Sequence, residues 1–213
     1  NNSIAYEYYK TAAKSNNPEF QNYLGLMYEF GQGTEIDIQK AYRWYKSAAE
    51  MNYADAMYNL GRLSEFGLNT TDPYKTALTL YKKAADQGHP LAMVVLGRIY
   101  EEGKITECDY SKALEWFNKA IAANFNMGLI CLADMYSAGK GVDEDKNKAQ
   151  ELYKKACKTE DPLCLTYYAI VLFLEDKYEI AYYYLTKVTS KGNEFPFAMY
   201  CLLYTSPSPR DKR

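Results

Sequence analysis

Small and apolar residues recur along this chain in two alternating stripes, each spaced like one face of a helix. In the first stripe Leu24, Tyr28 and Gly31 stand at i, i+4 and i+7; in the second, Ala41, Tyr45, Ala48 and Ala49 repeat the pattern. Both stripes return at steps of 36 residues. Leu24-Gly25 comes back as Leu60-Gly61, Leu96-Gly97, Leu132-Ala133 and Tyr168-Ala169. Gly31 returns as Gly67, Gly103 and Gly139, and Ala41 as Ala77, Ala113 and Ala149. A fixed period in this range marks a stacked repeat array, each unit being one helix hairpin that buries its apolar face only against its neighbours. The expected fold class is all-α.

The residue types at these positions fit their places. Gly25, Gly61, Gly97 and the repeat alanines have almost no side chain, so two helix backbones can approach there while a tyrosine ring fills the space beside them. Gly31 and its counterparts fall just past the first stripe, where a helix commonly ends on a left-handed residue that glycine adopts without steric cost. Asp37, Asp109 and Asp145 lie four residues before the repeat alanine and suit the N-cap of the second helix; Asp72-Pro73 gives the same signal with proline in the first turn.

These cues divide the chain into a partial repeat at 1–17, complete repeats at 18–52, 53–88, 89–124 and 125–160, and a fifth at 161–192. The fifth has a shortened loop, has Glu175 in place of glycine and is crowded with tyrosine, so it reads either as a terminal cap or as an ordinary diverged unit. A further first-half helix is expected over 193–203. Residues 204–213 abandon the pattern and read as a non-native or disordered tail. The chain opens on Asn1 inside a second-half helix and is therefore expected to be a piece of a longer protein.

Composition narrows the function. Twenty-five Lys and Arg stand against 27 Asp and Glu, a net charge of −2. That balance lacks the basic excess of a general nucleic-acid or anionic-membrane binder, and no apolar run is long enough to span a bilayer. His89, the single histidine, sits beside Pro90 in an inter-repeat turn with no second histidine for a metal cluster or a relay. The loops Gly31-Gln32-Gly33 and Gly139-Lys140-Gly141 follow no strand, so they read as structural turns and not phosphate loops. No nucleophile motif is present, and neither a cofactor nor a metal is expected.

The stretches LGLMYEFGQG…AYRWYKSAAE, LGRIYEEGKI…DYSKALEWFNKA and LADMYSAGKGVDED…KAQELYKKAC resemble the Sel-1-like repeat family, relatives of the tetratricopeptide repeat. The resemblance covers residues 1 to about 203. It implies a right-handed α-solenoid that holds other proteins together, gripping a peptide segment or a helix in a concave groove lined by first helices. Mapped onto this chain, that groove presents Asn22, Tyr23, Tyr58, Asn59, Arg62, Glu65, Arg98 and Glu101 as candidate partner-binding residues. Arg and Tyr suit interface anchors; equally, Arg62–Glu65 and Arg98–Glu101 have the spacing of intrahelical ion pairs on a solvated face. Cys157 and Cys164 flank a turn where cysteine-rich secreted members of the family place an inter-helix disulfide, at a spacing one residue longer. The alternative is a pair of small buried thiols in a reducing compartment. Cytoplasm is the favoured location, with the endoplasmic-reticulum lumen and secretion as alternatives. The expected function is a non-catalytic scaffold; the other reading is the regulatory arm of a larger enzyme, such as a kinase fusion.

Overall fold

The computed structural model describes residues 2–189. The expected helix over 193–203, the tail at 204–213, Asn1 and Cys201 lie outside the described residues. Eleven α-helices and no strand are found among the described residues: α1 Asn2–Ala12, α2 Pro18–Phe30, α3 Ile38–Glu50, α4 Ala54–Glu65, α5 Pro73–Asp86, α6 Pro90–Glu102, α7 Tyr110–Ala122, α8 Met127–Ala138, α9 Lys146–Ala156, α10 Pro162–Leu174 and α11 Tyr178–Thr189. Even-numbered helices are the first helices of the repeats and odd-numbered ones the second. The chain divides into two compact units, residues 1–116 and 117–213, with the division inside α7.

Helix boundaries follow the local chemistry. The carboxylates of Asp37, Asp72, Asp109 and Asp145 accept from the backbone N–H three residues on, at 2.9 to 3.1 Å, satisfying a donor that a helix start otherwise leaves open. Asn17 and Asp161 cap α2 and α10 by accepting from the N–H two residues on, at 2.9 and 2.8 Å. Gly31, Gly103 and Gly139 close α2, α6 and α8 in the left-handed region, at φ 66°, 66° and 63°. In the fifth repeat, where glycine is missing, the left-handed residue is Asp176, at φ 60°.

A second left-handed series runs through the turns between hairpins. Asn16, Asn52, Gly88, Asn124 and Glu160 all have positive φ and are spaced by 36 residues. Asparagine is the residue that best tolerates this region after glycine. Glu160 keeps the backbone conformation without either advantage, and its side chain reaches Lys187 at 3.4 Å.

Each unit has its own core. In the first, Leu24, Tyr28, Ala41, Tyr45, Leu60 and Leu63 are buried together. In the second, Ala133, Ala149, Tyr153, Ala156, Tyr168, Ala169, Leu172, Ala181 and Leu185 form the corresponding cluster. Within the hairpins the helices approach closely at the repeat glycines: a Cβ at Gly25 would lie 2.6 Å from the Tyr45 ring, and one at Gly61 would lie 2.9 Å from Tyr81. Tyr45 is fully buried and tied at its hydroxyl, so its ring has no room to yield. Gly25→Ala therefore sets an overpacking cost of about 1–3 kcal/mol against a helix-propensity gain of about 1 kcal/mol. We expect the variant to be less stable by roughly 1 kcal/mol in urea denaturation; a variant as stable as the parent or more so would contradict the close packing.

Candidate partner-binding face

The first helices α2, α4 and α6 position the candidate residues, and many of these turn out to hold the hairpins together. Asn22 and Asn59 are buried, and the Asn59 amide donates to Asn22 Oδ1 at 3.0 Å, joining α2 to α4. Arg62 does not form the expected pair with Glu65. Its guanidinium reaches back to Glu29 of the preceding hairpin, with Nη2 at 2.6 Å from Oε1 and 2.7 Å from Oε2. The Tyr45 hydroxyl donates to the same carboxylate at 2.7 Å. Glu29 raises the Arg62 pKa, while burial, followed by Glu29, drives that of Tyr45 upward. Burial, followed by Glu65, drives the Tyr81 pKa upward one hairpin later. Glu101 is buried and Arg98 half-buried.

The second unit builds the same device with residues displaced by one helical turn. Asp134 of α8 accepts from Tyr153 of its own hairpin at 2.6 Å and from Tyr167 of the next at 2.8 Å. In both units a first-helix carboxylate is thus shared between a second-helix tyrosine and a donor on the following first helix. The sequence reading missed this role. Its signal was the recurrence of Tyr45, Tyr81 and Tyr153, with a carboxylate on the helix before each.

The remaining candidates lie nearer solvent. Tyr23 is exposed and packs its ring at 5.2 Å from Tyr9. Half-buried Tyr58 stacks on His89 at 4.7 Å. His89 itself is a helix cap: Nδ1 accepts from the Ala92 N–H at 3.1 Å and Nε2 lies 3.4 Å from Asp55. Burial holds its pKa below the ordinary value despite Asp55, which fits an uncharged Nδ1 acceptor. Beside this surface is a groove of about 490 Å³ lined by Val94, Val95, Ile99 and Ile105 together with Tyr74, Glu65, Arg98 and Lys104. Tyr74, Val95 and Ile105 were not among the sequence candidates. Among the described residues no group of three or more His, Cys, Asp or Glu could hold a metal, and no helix is long and apolar enough to cross a membrane.

Cys157 and Cys164 are free thiols in the structure, with Cys157 Sγ directed at the Cys164 carbonyl oxygen at 3.6 Å. Burial, with Asp161 adding to it, pushes both up to about 12.

The sequence model of the Sel1 repeat matches residues 1–17, 18–53, 54–89, 90–125 and 121–158. The chain therefore belongs to the Sel1 repeat family, whose members are generally protein-interaction scaffolds and typically non-catalytic. A Sel1 repeat protein from Oxalobacter formigenes is similar at a TM-score of 0.71 and 26% identity, over 90% of this chain and 85% of that one. A protective antigen of uropathogenic Escherichia coli with an SLR fold gives 0.66 and 27% over 90% of this chain; the chain spans only 42% of that protein. A Sel1 repeat protein from Klebsiella pneumoniae, 20% identical with a TM-score of 0.62 over 94% of this chain and 99% of that one, shares the fold. No curated protein matches the chain.

Two outcomes follow from this geometry. Arg62→Ala strips its cation from buried Glu29; because Arg62 is itself 30% exposed, the loss should fall below that of a fully buried pair, at about 2–3 kcal/mol in urea denaturation. A loss under about 0.5 kcal/mol, the size of a weak surface pair, would show that the bridge does not join the hairpins. In the folded protein at mildly alkaline pH, iodoacetamide should label exposed Cys108 and spare Cys131, Cys157 and Cys164. Unfolding without reductant should then open all three to label by peptide mapping; Cys157 and Cys164 staying masked until reduction would establish a disulfide.

Proposed function

We propose that this chain is a non-catalytic scaffold that recruits partner proteins, taking an extended peptide segment or a partner helix on the face of its first helices. The groove beside α6 carries the reading. Its apolar lining, with a few polar groups at hand, is the form that anchors a partner's side chain and fixes its orientation. Tyr74 contributes an aromatic that is 57% exposed, and Phe66, at the end of α4, is 80% exposed.

The polar groups of the groove are already balanced. Lys104 pairs with Glu102 at 2.8 Å, and the charge of Glu65 faces the buried Tyr81. That favours an apolar or aromatic anchor over a strongly charged ligand, in keeping with protein partners and not nucleic acid or a bilayer. Asn22, Asn59 and Arg62 are committed to joining hairpins and Glu101 is buried, so the contact surface in this reading is Tyr23, Tyr58, Glu65 and Arg98 extended by Tyr74, Val95 and Ile105.

The test is cross-linked partner recovery with Tyr74→Ala and Val95→Asp, against the second-helix control Lys82→Ala. Loss of an anchor of about 2 kcal/mol corresponds to roughly 30-fold weaker binding. We expect both groove variants to lose recovery on that scale with unchanged thermal melting of Tyr74→Ala, while the control keeps it. Parent-level recovery by both groove variants would remove the groove from the function.

A further inference from the structure

Between α4 and α5 the chain reads Gly67-Leu68-Asn69-Thr70-Thr71-Asp72. Asn69-Thr70-Thr71 is an Asn-x-Thr triplet without proline at its centre, the acceptor pattern for an N-linked glycan, and the chemistry needs it on an exposed loop. That is its setting here. Asn69 is exposed, and its amide makes one solvent-accessible contact, donating to Gln39 Oε1 at 3.0 Å. The Thr70 hydroxyl is occupied with Thr76 at 2.8 Å. Thr71 is exposed, and its hydroxyl has no hydrogen-bond partner among the described residues.

The backbone explains only half of the triplet. Asn69 occupies the place that Gly33 and Gly141 hold in other repeats, and all three are left-handed, at φ 54°, 78° and 68°. The turn therefore accounts for an asparagine at 69. It makes no demand for threonine at 71, where the side chain neither caps nor packs.

We propose that Asn69 is an acceptor site for an N-linked glycan. In the transfer, Asn69 Nδ2 bonds to the anomeric carbon of a lipid-pyrophosphate-linked oligosaccharide. The bond from that carbon to the pyrophosphate oxygen breaks, the lipid pyrophosphate leaves, and one amide proton passes to a base of the transferase. The exposed Thr71 hydroxyl is the group left open for the transferase to hold while the amide is presented. The site stands apart from the groove: the Asn69 amide lies against Gln39 of α3, whereas the groove is built mainly from α6 and the loop after it.

The experiment translates the full chain behind a cleavable signal sequence in the presence of microsomes carrying the lipid-linked oligosaccharide, and maps glycosylated peptides by mass spectrometry. The Asn69 peptide should carry a core glycan that is lost completely in Asn69→Gly and Thr71→Ala and retained in Thr71→Ser. Asn69→Gly keeps the left-handed turn, so its loss of glycan does not come from misfolding. Peptide mapping also separates this site from the Asn1-Asn2-Ser3 triplet. Each chain also carries an Asn-x-Thr control triplet appended at its C-terminus; an unmodified Asn69 peptide in chains whose control triplet is modified would overturn the proposal, as would a glycan that persists in Thr71→Ala.

Discussion

A single buried carboxylate sets the geometry of the first unit. The Tyr45 ring fills the space that Gly25 leaves open, and its hydroxyl ends on Glu29. Arg62, from the next hairpin, closes on the same oxygens. Burying a carboxylate costs several kcal/mol unless it is fully served, so Glu29 stays in the interior only while both donors are in place. The tyrosine fixes the spacing of two helices within a hairpin, and the arginine fixes the position of the following hairpin. A nearest-neighbour device of this kind is what a stacked array needs, because each unit meets only the units on either side.

The same logic constrains where function can reside. A face lined with polar residues looks available for recognition, yet Asn22, Asn59 and Arg62 spend their hydrogen bonds on the array itself. The proposed partner surface is the more apolar one around Tyr74 at the start of α5, Val95 of α6 and Ile105 in the loop after it. Polarity at the joints and apolar groups beside them is a workable division: directional bonds hold the hairpins in register, and the proposed recognition uses groups that the register does not need.

Much of the fold was legible because the repeat writes it several times. The stripes, the glycine stops and the aspartate caps are local signals, and each reappears at a step of 36 residues. The site was read less well for a physical reason. Whether Arg62 pairs along its own helix or across to Glu29 depends on the distance between hairpins, which spacing in one helix does not encode. The second unit hides its version further: Asp134 and Tyr167 each stand one turn before the positions that correspond to Glu29 and Arg62, so counting by the period misses them. Spacing likewise left the cysteines between two readings, a disulfide and a pair of buried thiols, because seven residues across a turn fit either; in the structure both side chains are thiols. His89 was placed correctly in its turn, but nothing in the sequence distinguished a spectator from a cap whose ring nitrogen takes the Ala92 N–H.

The turn residues Asn16, Asn52, Gly88, Asn124 and Glu160 give the array a common joint: each junction bends through the same left-handed backbone conformation. A segment excised or duplicated between two such points leaves the flanking backbone conformations unchanged. Gene-level gain and loss of material can therefore proceed in quanta of 36 residues, with the turn serving as a neutral splice point and the carboxylate bridges deciding which new neighbours are compatible. The length of a protein built this way is inherited almost as a count, open to revision one hairpin at a time.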